Sequence, residues 1–206
     1  MKKIVFDFDK TLSIKNSFND YLYYVGRSNK NYRLRKFVYF FIVLLRKIKI
    51  ISNHLQKLVG LNLFLPLDSS QVENYSKDFA REIELNKKVY SIYQKKKKYE
   101  IIICTSSPSI YIKEIFPEAK VIGLEFIKKK FYKITQHPYR KNKLIYLQQN
   151  GIQVIDELYT DSYDDEFLAR ISKKIFLVKK NSIIQIEDYE SFKKNFNWVI
   201  KFWKKF

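Results

Sequence analysis

With 206 residues, of which 46% are hydrophobic, the chain suits one ordinary domain or a core with a smaller domain inserted, and its composition excludes disorder. Only 4 glycines and 4 prolines exclude a loop-rich chain, and the single cysteine excludes an intramolecular disulfide. The net charge of +19 favours anionic partners such as nucleic acid, anionic lipid or phosphorylated substrates. The compositional bias of an AT-rich genome explains that charge equally well.

The chain opens with KKIVFDFD, which predicts a buried strand that ends in Asp7 and Asp9. Side chains repeat with period two along a strand, so both carboxylates lie on the same side. A buried, unpaired carboxylate costs free energy. The pair therefore indicates that a cation, or a reaction, is located at the end of this strand.

Residues from about Ser17 to Lys98 are predicted to be helical, with interruptions only at Gly26, Gly60 and LFLPLDSS. Within them, Phe37 to Ile51 contains nine consecutive apolar residues before Arg46. A spanning helix needs about 20 such residues. Two interpretations remain open: a helix buried in the protein, or a helix lying in a membrane interface with its cations near the headgroups.

The rest of the chain alternates strands with helices. Strands are predicted at Ile101 to Cys104 and within KVIGLEFIKKKFYKI, GIQVIDELYTDS and KKIFLVK, and helices at SSPS and within KNKLIYLQQNG and DDEFLARIS. This alternation predicts a mostly parallel sheet covered by helices. Sites in such sheets lie beyond the carboxyl ends of the strands.

Polar side chains follow several of these strands. They are the hydroxyls of Thr105, Ser106 and Ser107 at a predicted helix start, Lys143 at the beginning of another helix, and the carboxylates of Asp161 and Asp165. A helix start suits phosphate, and clustered carboxylates suit Mg²⁺. One aspartate could then attack phosphorus while a second transfers protons, and Thr105 and Lys143 would hold the transferring oxygens.

These segments resemble a known family. DFDKTLS, IIICTSSP, the lysine before LIYL, and YTDSYDD have the order and type of the motifs of haloacid dehalogenase (HAD) superfamily phosphatases. The phosphoserine-phosphatase-like branch is most similar, because it has a helical cap between the first and second motifs. The resemblance extends to about Lys180. It implies an α/β fold, with a Rossmann-like core at 1–16 and 99–206 and an inserted α-helical cap at 17–98.

The resemblance also implies residue roles. Asp7 would be the nucleophile and a metal ligand, and Asp9 would be the general acid and base, with its main-chain carbonyl on the metal. The residues that would bind the phosphate are Thr11, Thr105, Ser106 and Lys143. Asp161 and Asp165 would be further ligands of Mg²⁺. Lys141 and Asp164 remain alternatives to Lys143 and Asp165. Lys143 is preferred because the family's lysine precedes a leucine by four residues, as Lys143 precedes Leu147.

The expected function is a Mg²⁺-dependent phosphatase that hydrolyses a small phosphorylated metabolite through an aspartyl-phosphate. One alternative is a lipid-phosphate phosphatase, similar to those acting on phosphatidylglycerophosphate, at an anionic membrane surface. A third possibility is a non-catalytic basic protein that binds nucleic acid or anionic membrane through segments such as WVIKFWKKF. The structural interpretation of that segment is an amphipathic terminal helix that packs on the protein through Trp198 and Trp203. Nucleic acid is disfavoured because clustered carboxylates repel its phosphates.

The expected location is the cytoplasm, because Asp7 and Asp9 interrupt any signal-peptide core. Under the lipid alternative the protein would sit peripherally at the inner face of the membrane. The sequence leaves the oligomeric state open.

Overall fold

A computed structural model describes residues 1–66, 68–180 and 182–196. Its strands are β1 (Lys3–Phe6), β2 (Glu100–Pro108), β3 (Lys120–Lys128), β4 (Tyr132–Gln136), β5 (Glu157–Thr160), β6 (Ile175–Lys179) and β7 (Ser182–Ile186). They form one sheet in the order β4-β3-β2-β1-β5-β6-β7. The inner strands from β3 to β6 run parallel, and the edge strands β4 and β7 are antiparallel. The predicted mostly parallel α/β fold is confirmed.

Helices cover the sheet. They are α1 (Ser17–Gly26), α2 (Tyr32–Lys47), α3 (Asn53–Phe64), α4 (Ser69–Glu82), α5 (Lys87–Lys96), α6 (Ser109–Ile115), α7 (Lys141–Gln149), α8 (Glu166–Ala169) and α9 (Tyr189–Asn195). We call α1 to α5, which lie between β1 and β2 in the chain, the helical insertion. Side chains of Ser52, Asp68 and Asn86 accept hydrogen bonds from the first turns of α3, α4 and α5, as N-cap residues do.

The central strand β1 is buried on both faces, as parallel strands usually are. Ile4 and Phe6 point into a hydrophobic cluster shared with the helical insertion, whereas Val5 points to the opposite cluster, which contains Leu147 of α7. The ring of Phe6 stacks on that of Tyr159 at 4.6 Å between centroids. This packing holds the carboxyl end of β1, and therefore Asp7, in a fixed position.

The segment after β1 turns sharply and then pairs with the helical insertion. Lys10 within the turn has φ 58°, a left-handed conformation that favours glycine. The amide of Ile14 donates to the carbonyl of Glu84 at 3.0 Å, and the amide of Asn86 donates to the carbonyl of Leu12 at 2.8 Å. This pairing interrupts the helix between α4 and α5, so the predicted unbroken helix across these residues is wrong.

The helical insertion and the sheet share one hydrophobic cluster. Tyr111 of α6 packs against Tyr21 of α1 and Phe79 of α4, with centroid separations of 5.0 and 5.1 Å. The division into a core at 1–16 and 99–206 and a cap at 17–98 stays a prediction.

The structure corrects two further expectations, on the helix at SSPS and on the burial of the apolar helix. The helix predicted at SSPS begins later, because β2 continues through Pro108 and α6 starts at Ser109. The helix over the apolar run is present as α2, but Tyr39 is its only fully buried residue, so the interpretation of a helix buried along its length is wrong.

Among the described residues, none of the helices has the length and apolarity needed to cross a membrane. Trp198 and Trp203 of the basic terminal segment lie outside the described residues.

Candidate active site

A buried lysine joins two of the predicted carboxylates. Lys143, in the first turn of α7, donates from Nζ to Oδ1 of Asp7 at 2.8 Å and to Oδ1 of Asp165 at 2.6 Å. All three side chains are almost fully buried. Lys141, the alternative lysine, is exposed on the same helix. The structure therefore brings Lys143 to the carboxyl end of β1 and leaves Lys141 outside.

The second acidic pair follows β5. The Thr160 hydroxyl, at the end of that strand, donates to Oδ2 of Asp165 at 2.6 Å. Asp164 lies at the rim, where its Oδ1 is 3.4 Å from Nε of Arg140. Asp161 is half-buried in the same cleft. Asp165 is thus fixed by Lys143 and Thr160, whereas Asp161 faces the cleft.

Asp9 is held by hydrogen bonds from two other parts of the chain. Its Oδ1 accepts from the amide and the hydroxyl of Ser17, at 2.8 and 2.6 Å, and its Oδ2 accepts from the hydroxyl of Ser107 at 2.6 Å. The Ser17 hydroxyl also lies 2.6 Å from that of Tyr111. The residues that position Asp9 therefore come from α1, from β2 and from α6, and sequence reasoning had assigned none of them this role.

The extended part of β2 brings polar groups to the cleft. Thr105 is buried, and its hydroxyl accepts from the amide of Ser107 at 3.1 Å. Ser106 accepts hydrogen bonds from Nζ of Lys57 at both its carbonyl and its hydroxyl, the latter at 3.2 Å. Lys57 comes from α3 and is buried, with its Nζ 4.5 Å from the ring centroid of Phe18. The sequence offered no spacing that would single out this lysine.

Burial and mutual repulsion shift the pKa values of the charged groups. Burial raises the pKa of Asp7 well above its usual range, although Lys143 opposes the shift, and burial with the nearby Asp165 raises the pKa of Asp161 to about 7. Burial lowers the pKa of Lys57 to about 8. For Lys143, burial acts downward, but the carboxylates of Asp165 and Asp7 outweigh it and raise the pKa.

These residues line one cleft of about 260 Å³. Its wall consists of Asp7, Asp9, Lys10, Asn16, Thr105, Ser106, Tyr139, Lys143, Asp161, Ser162, Asp164 and Asp165. Every predicted site residue is included except Thr11. The Thr11 side chain is fully buried away from the cleft, and its hydroxyl has no hydrogen-bond partner in the described part of the chain.

A rim of aromatic and basic residues borders the cleft. Arg46 of α2 donates from Nη2 to the hydroxyl of Tyr139 at 3.1 Å. His137 stacks on Tyr139 with centroids 5.8 Å apart, and its Nε2 lies 3.0 Å from Oδ1 of Asn53. Burial, together with the charge of Lys57, lowers the pKa of His137 to about 3.

The cleft offers carboxylate oxygens, which are the type of ligand that a hard cation prefers. Asp7 and Asp161 present carboxylate oxygens to the cleft, and their raised pKa values reflect burial and negative charge that a cation would offset. The described residues do not, however, gather three acidic, histidine or cysteine side chains at one point. Lys143 contacts one oxygen of Asp7 and one of Asp165, so its ammonium group already offsets part of the negative charge at these two carboxylates.

Comparison with known proteins adds to this geometry. The family described as haloacid dehalogenase-like hydrolase matches residues 4–170. No curated protein matches the chain significantly. Fold and site together define a Rossmann-like α/β protein with its polar groups at the carboxyl edge of a mostly parallel sheet. The chain belongs to the haloacid dehalogenase-like hydrolase family, and the predicted family is confirmed.

Solved structures share this fold at low sequence identity. A phosphoserine phosphohydrolase-like protein from Francisella tularensis subsp. tularensis SCHU S4 is 19% identical with a TM-score of 0.61, over 85% of this chain and 86% of that one. A phosphoserine phosphatase with a phospho-aspartyl intermediate analogue is 15% identical with a TM-score of 0.54, over 84% of each chain. Cytosolic 5′-nucleotidase IIIB bound to cytidine is 15% identical with a TM-score of 0.53, over 82% of this chain and 68% of that one.

Proposed function

We propose that the protein is a Mg²⁺-dependent phosphomonoester phosphatase in which Asp7 is the nucleophile. The observation that carries this proposal is the contact between Asp7 and Lys143 at 2.8 Å, at the floor of a cleft that also contains Asp9. Lys143 orients the Asp7 carboxylate and adds positive charge where a phosphoryl group would bind.

In the first step, a carboxylate oxygen of Asp7 attacks phosphorus and the bond from phosphorus to the leaving oxygen breaks. The proton that the leaving oxygen needs comes from Asp9, which acts as the general acid. Ser17 and Ser107 hold the Asp9 carboxyl group, so its position is set before substrate binds. Lys143, Thr105 and Ser106 stabilise the transferring oxygens.

In the second step, Asp9 takes a proton from water, and the water oxygen attacks the phosphorus of the aspartyl-phosphate. The bond from phosphorus to Asp7 breaks, which releases inorganic phosphate and restores the carboxylate. Asp9 ends the cycle protonated, as it began. One residue can serve in both roles because the leaving group and the incoming water occupy the same side of the phosphoryl group.

Mg²⁺ would be held by Asp7 and Asp161, with the main-chain carbonyl of Asp9 and with Asp165 as the other predicted members of the set. Its chemistry is to offset the repulsion between the phosphate and the carboxylates. Burial and the neighbouring Asp165 raise the pKa of Asp161 to about 7, so this carboxyl group would have to lose its proton before it could hold the ion.

The size of the cleft favours a small phosphorylated metabolite. A volume of about 260 Å³ lies just below the range of ordinary ligand pockets, so it suits a small phosphorylated molecule. Lys57 brings a second cation from the helical insertion to Ser106, where an anionic group of the leaving portion could bind. A phosphoserine phosphatase and a 5′-nucleotidase share the fold, and both of their names refer to small phosphorylated substrates, which supports this proposal.

Release of phosphate from p-nitrophenyl phosphate tests the proposal. Wild type should be active with Mg²⁺ and inactive with EDTA, and Asp7→Asn should lose at least about a thousand-fold in kcat. Asp78→Asn is the matched control, because Asp78 lies on the exposed surface of α4 and pairs with Arg81. Equal activity of Asp7→Asn and Asp78→Asn would contradict the proposal.

A further inference from the structure

The outward face of α2 is apolar and open to solvent. Phe37 and Phe40 of α2 are 61% and 59% exposed, and Ile48, directly after the helix, is 58% exposed. Other large apolar residues exposed on α2 are Leu34, Val38, Phe41 and Leu44. The Phe41 ring lies 5.0 Å from that of Phe37 and 5.7 Å from that of Phe40, so the three rings form one continuous patch. A surface helix normally presents polar residues on this side.

The opposite face of α2 is already occupied. Tyr39 packs against Phe64 of α3, with ring centroids 5.5 Å apart, and its hydroxyl accepts from Gln56 at 3.1 Å. Arg35 donates to the carbonyl of Leu63 at 2.6 Å. The helix is thus fixed on α3 by one face, and rotation about its axis cannot bury the exposed aromatic rings.

The charged residues in the sequence around this patch are all positive. No acidic residue occurs between Asp20 and Asp68, a stretch that contains nine lysines and arginines. Arg33, Lys36 and Lys47 are exposed on α2 itself. An apolar strip beside cations matches the boundary between acyl chains and anionic headgroups. A second copy of the same face fits poorly, because pairing would bring the cations of both copies together.

We propose that α2 docks the protein on an anionic lipid surface. The helix lies parallel to the membrane, with Phe37, Phe40 and Phe41 at the acyl boundary and Arg33, Lys36 and Lys47 at the headgroups. At 16 residues, α2 is about 24 Å long, so it is too short to span the hydrocarbon core. The docking surface stands on the exposure and charge of α2 and does not depend on the phosphatase proposal.

Docking would place the cleft close to the membrane. Arg46, in the last turn of α2, donates to Tyr139, which lines the cleft.

Co-sedimentation with vesicles tests the docking. The full chain should sediment with vesicles of phosphatidylcholine and phosphatidylglycerol, and much less with phosphatidylcholine alone. The triple variant Phe37→Gln, Phe40→Gln, Phe41→Gln should bind at least about ten-fold more weakly, because it lacks the three rings that would enter the acyl boundary. Phe131→Gln is the matched control, since Phe131 is equally exposed on the turn between β3 and β4. The variant's unfolding temperature and its hydrolysis of p-nitrophenyl phosphate should equal those of wild type.

Three results would overturn the inference: wild type that stays in the supernatant with anionic vesicles, a triple variant that sediments like wild type, or a wild-type dimer that the triple substitution dissociates. The last result would assign the patch to a second copy. Phenylalanine-dependent sedimentation of a protein that hydrolyses no phosphomonoester would support the docking and refute only the proposed function.

Discussion

Ser17 binds Asp9 twice, through its amide at 2.8 Å and its hydroxyl at 2.6 Å. Ser17 is the first residue of α1, and Asp9 lies in the turn after β1. The residue proposed as general acid and base is therefore attached to the start of the helical insertion. Any movement of α1 relative to the sheet would change the position of the Asp9 carboxyl group.

The first prediction concerns this attachment. Ser17→Ala removes one hydrogen bond to a carboxylate, which is worth about 1.5–3 kcal/mol, so kcat should fall about ten- to a hundred-fold with little change in KM. Ser17→Thr keeps the hydroxyl and should recover most of the rate. Ser28→Ala should have no effect, because Ser28 is exposed and lies just beyond the last residue of α1. A rise in KM with kcat unchanged would show that Ser17 does not act through Asp9.

The second prediction concerns Lys143. Lys143→Met leaves Asp7 and Asp165 buried without their cation, which should lower the free energy of unfolding by about 3 kcal/mol and abolish phosphatase activity. Lys141→Met, on the exposed side of the same helix, should leave both unchanged. Denaturant unfolding and initial rates measured on both variants make the comparison. If Lys141→Met proves the more damaging change, Lys141 is the functional lysine.

The third prediction concerns pH. Because burial lowers the pKa of Lys57 to about 8, its positive charge is lost as the pH rises through that value. If this charge helps to hold the substrate, kcat/KM for an anionic substrate should decline above about pH 8. Lys57→Met should show a lower kcat/KM without this decline. A decline of the same size in wild type and Lys57→Met would assign it to another group.

The fourth prediction concerns acid stability. His137 has a pKa of about 3 in the folded protein, against a usual value of 6.5, so the unfolded chain binds a proton that the folded protein does not. Its contribution to stability is complete above about pH 6.5 and is lost toward pH 3, with a slope of up to about 1.4 kcal/mol per pH unit. His137→Gln should flatten this part of the stability curve. Parallel curves for the two proteins would contradict the shift.

Much of the site was predictable because parallel strands bring their carboxyl ends to one edge. Asp7 and Asp161 directly follow β1 and β5, and Thr105 lies in the second half of β2, so their convergence needs only the strand order. Lys57 was not predictable in this way, because it comes from α3 and meets Ser106 of β2 only through a long-range contact. The same is true of Ser107, whose orientation depends on β2 continuing beyond Cys104.

The helical insertion was predictable in content but less so in detail. Its break before Asn86 arises from pairing with the segment after β1, a long-range contact that no local pattern reveals. For α2, residues on both faces are apolar, so periodicity could not tell which face is buried. The contact of Tyr39 with α3 decides this, and it leaves the phenylalanines outside.

The central claim is that Asp7 becomes phosphorylated during turnover, and trapping the acyl-phosphate tests it most directly. We would mix Asp9→Asn, whose second step should be slowed, with p-nitrophenyl phosphate and Mg²⁺, quench with borohydride, and analyse the N-terminal peptide by mass spectrometry. Reduction of an aspartyl-phosphate yields homoserine, and the account predicts homoserine at position 7 only when substrate is present. Unmodified Asp7 in a protein that still releases nitrophenol, or homoserine at another aspartate, would contradict it.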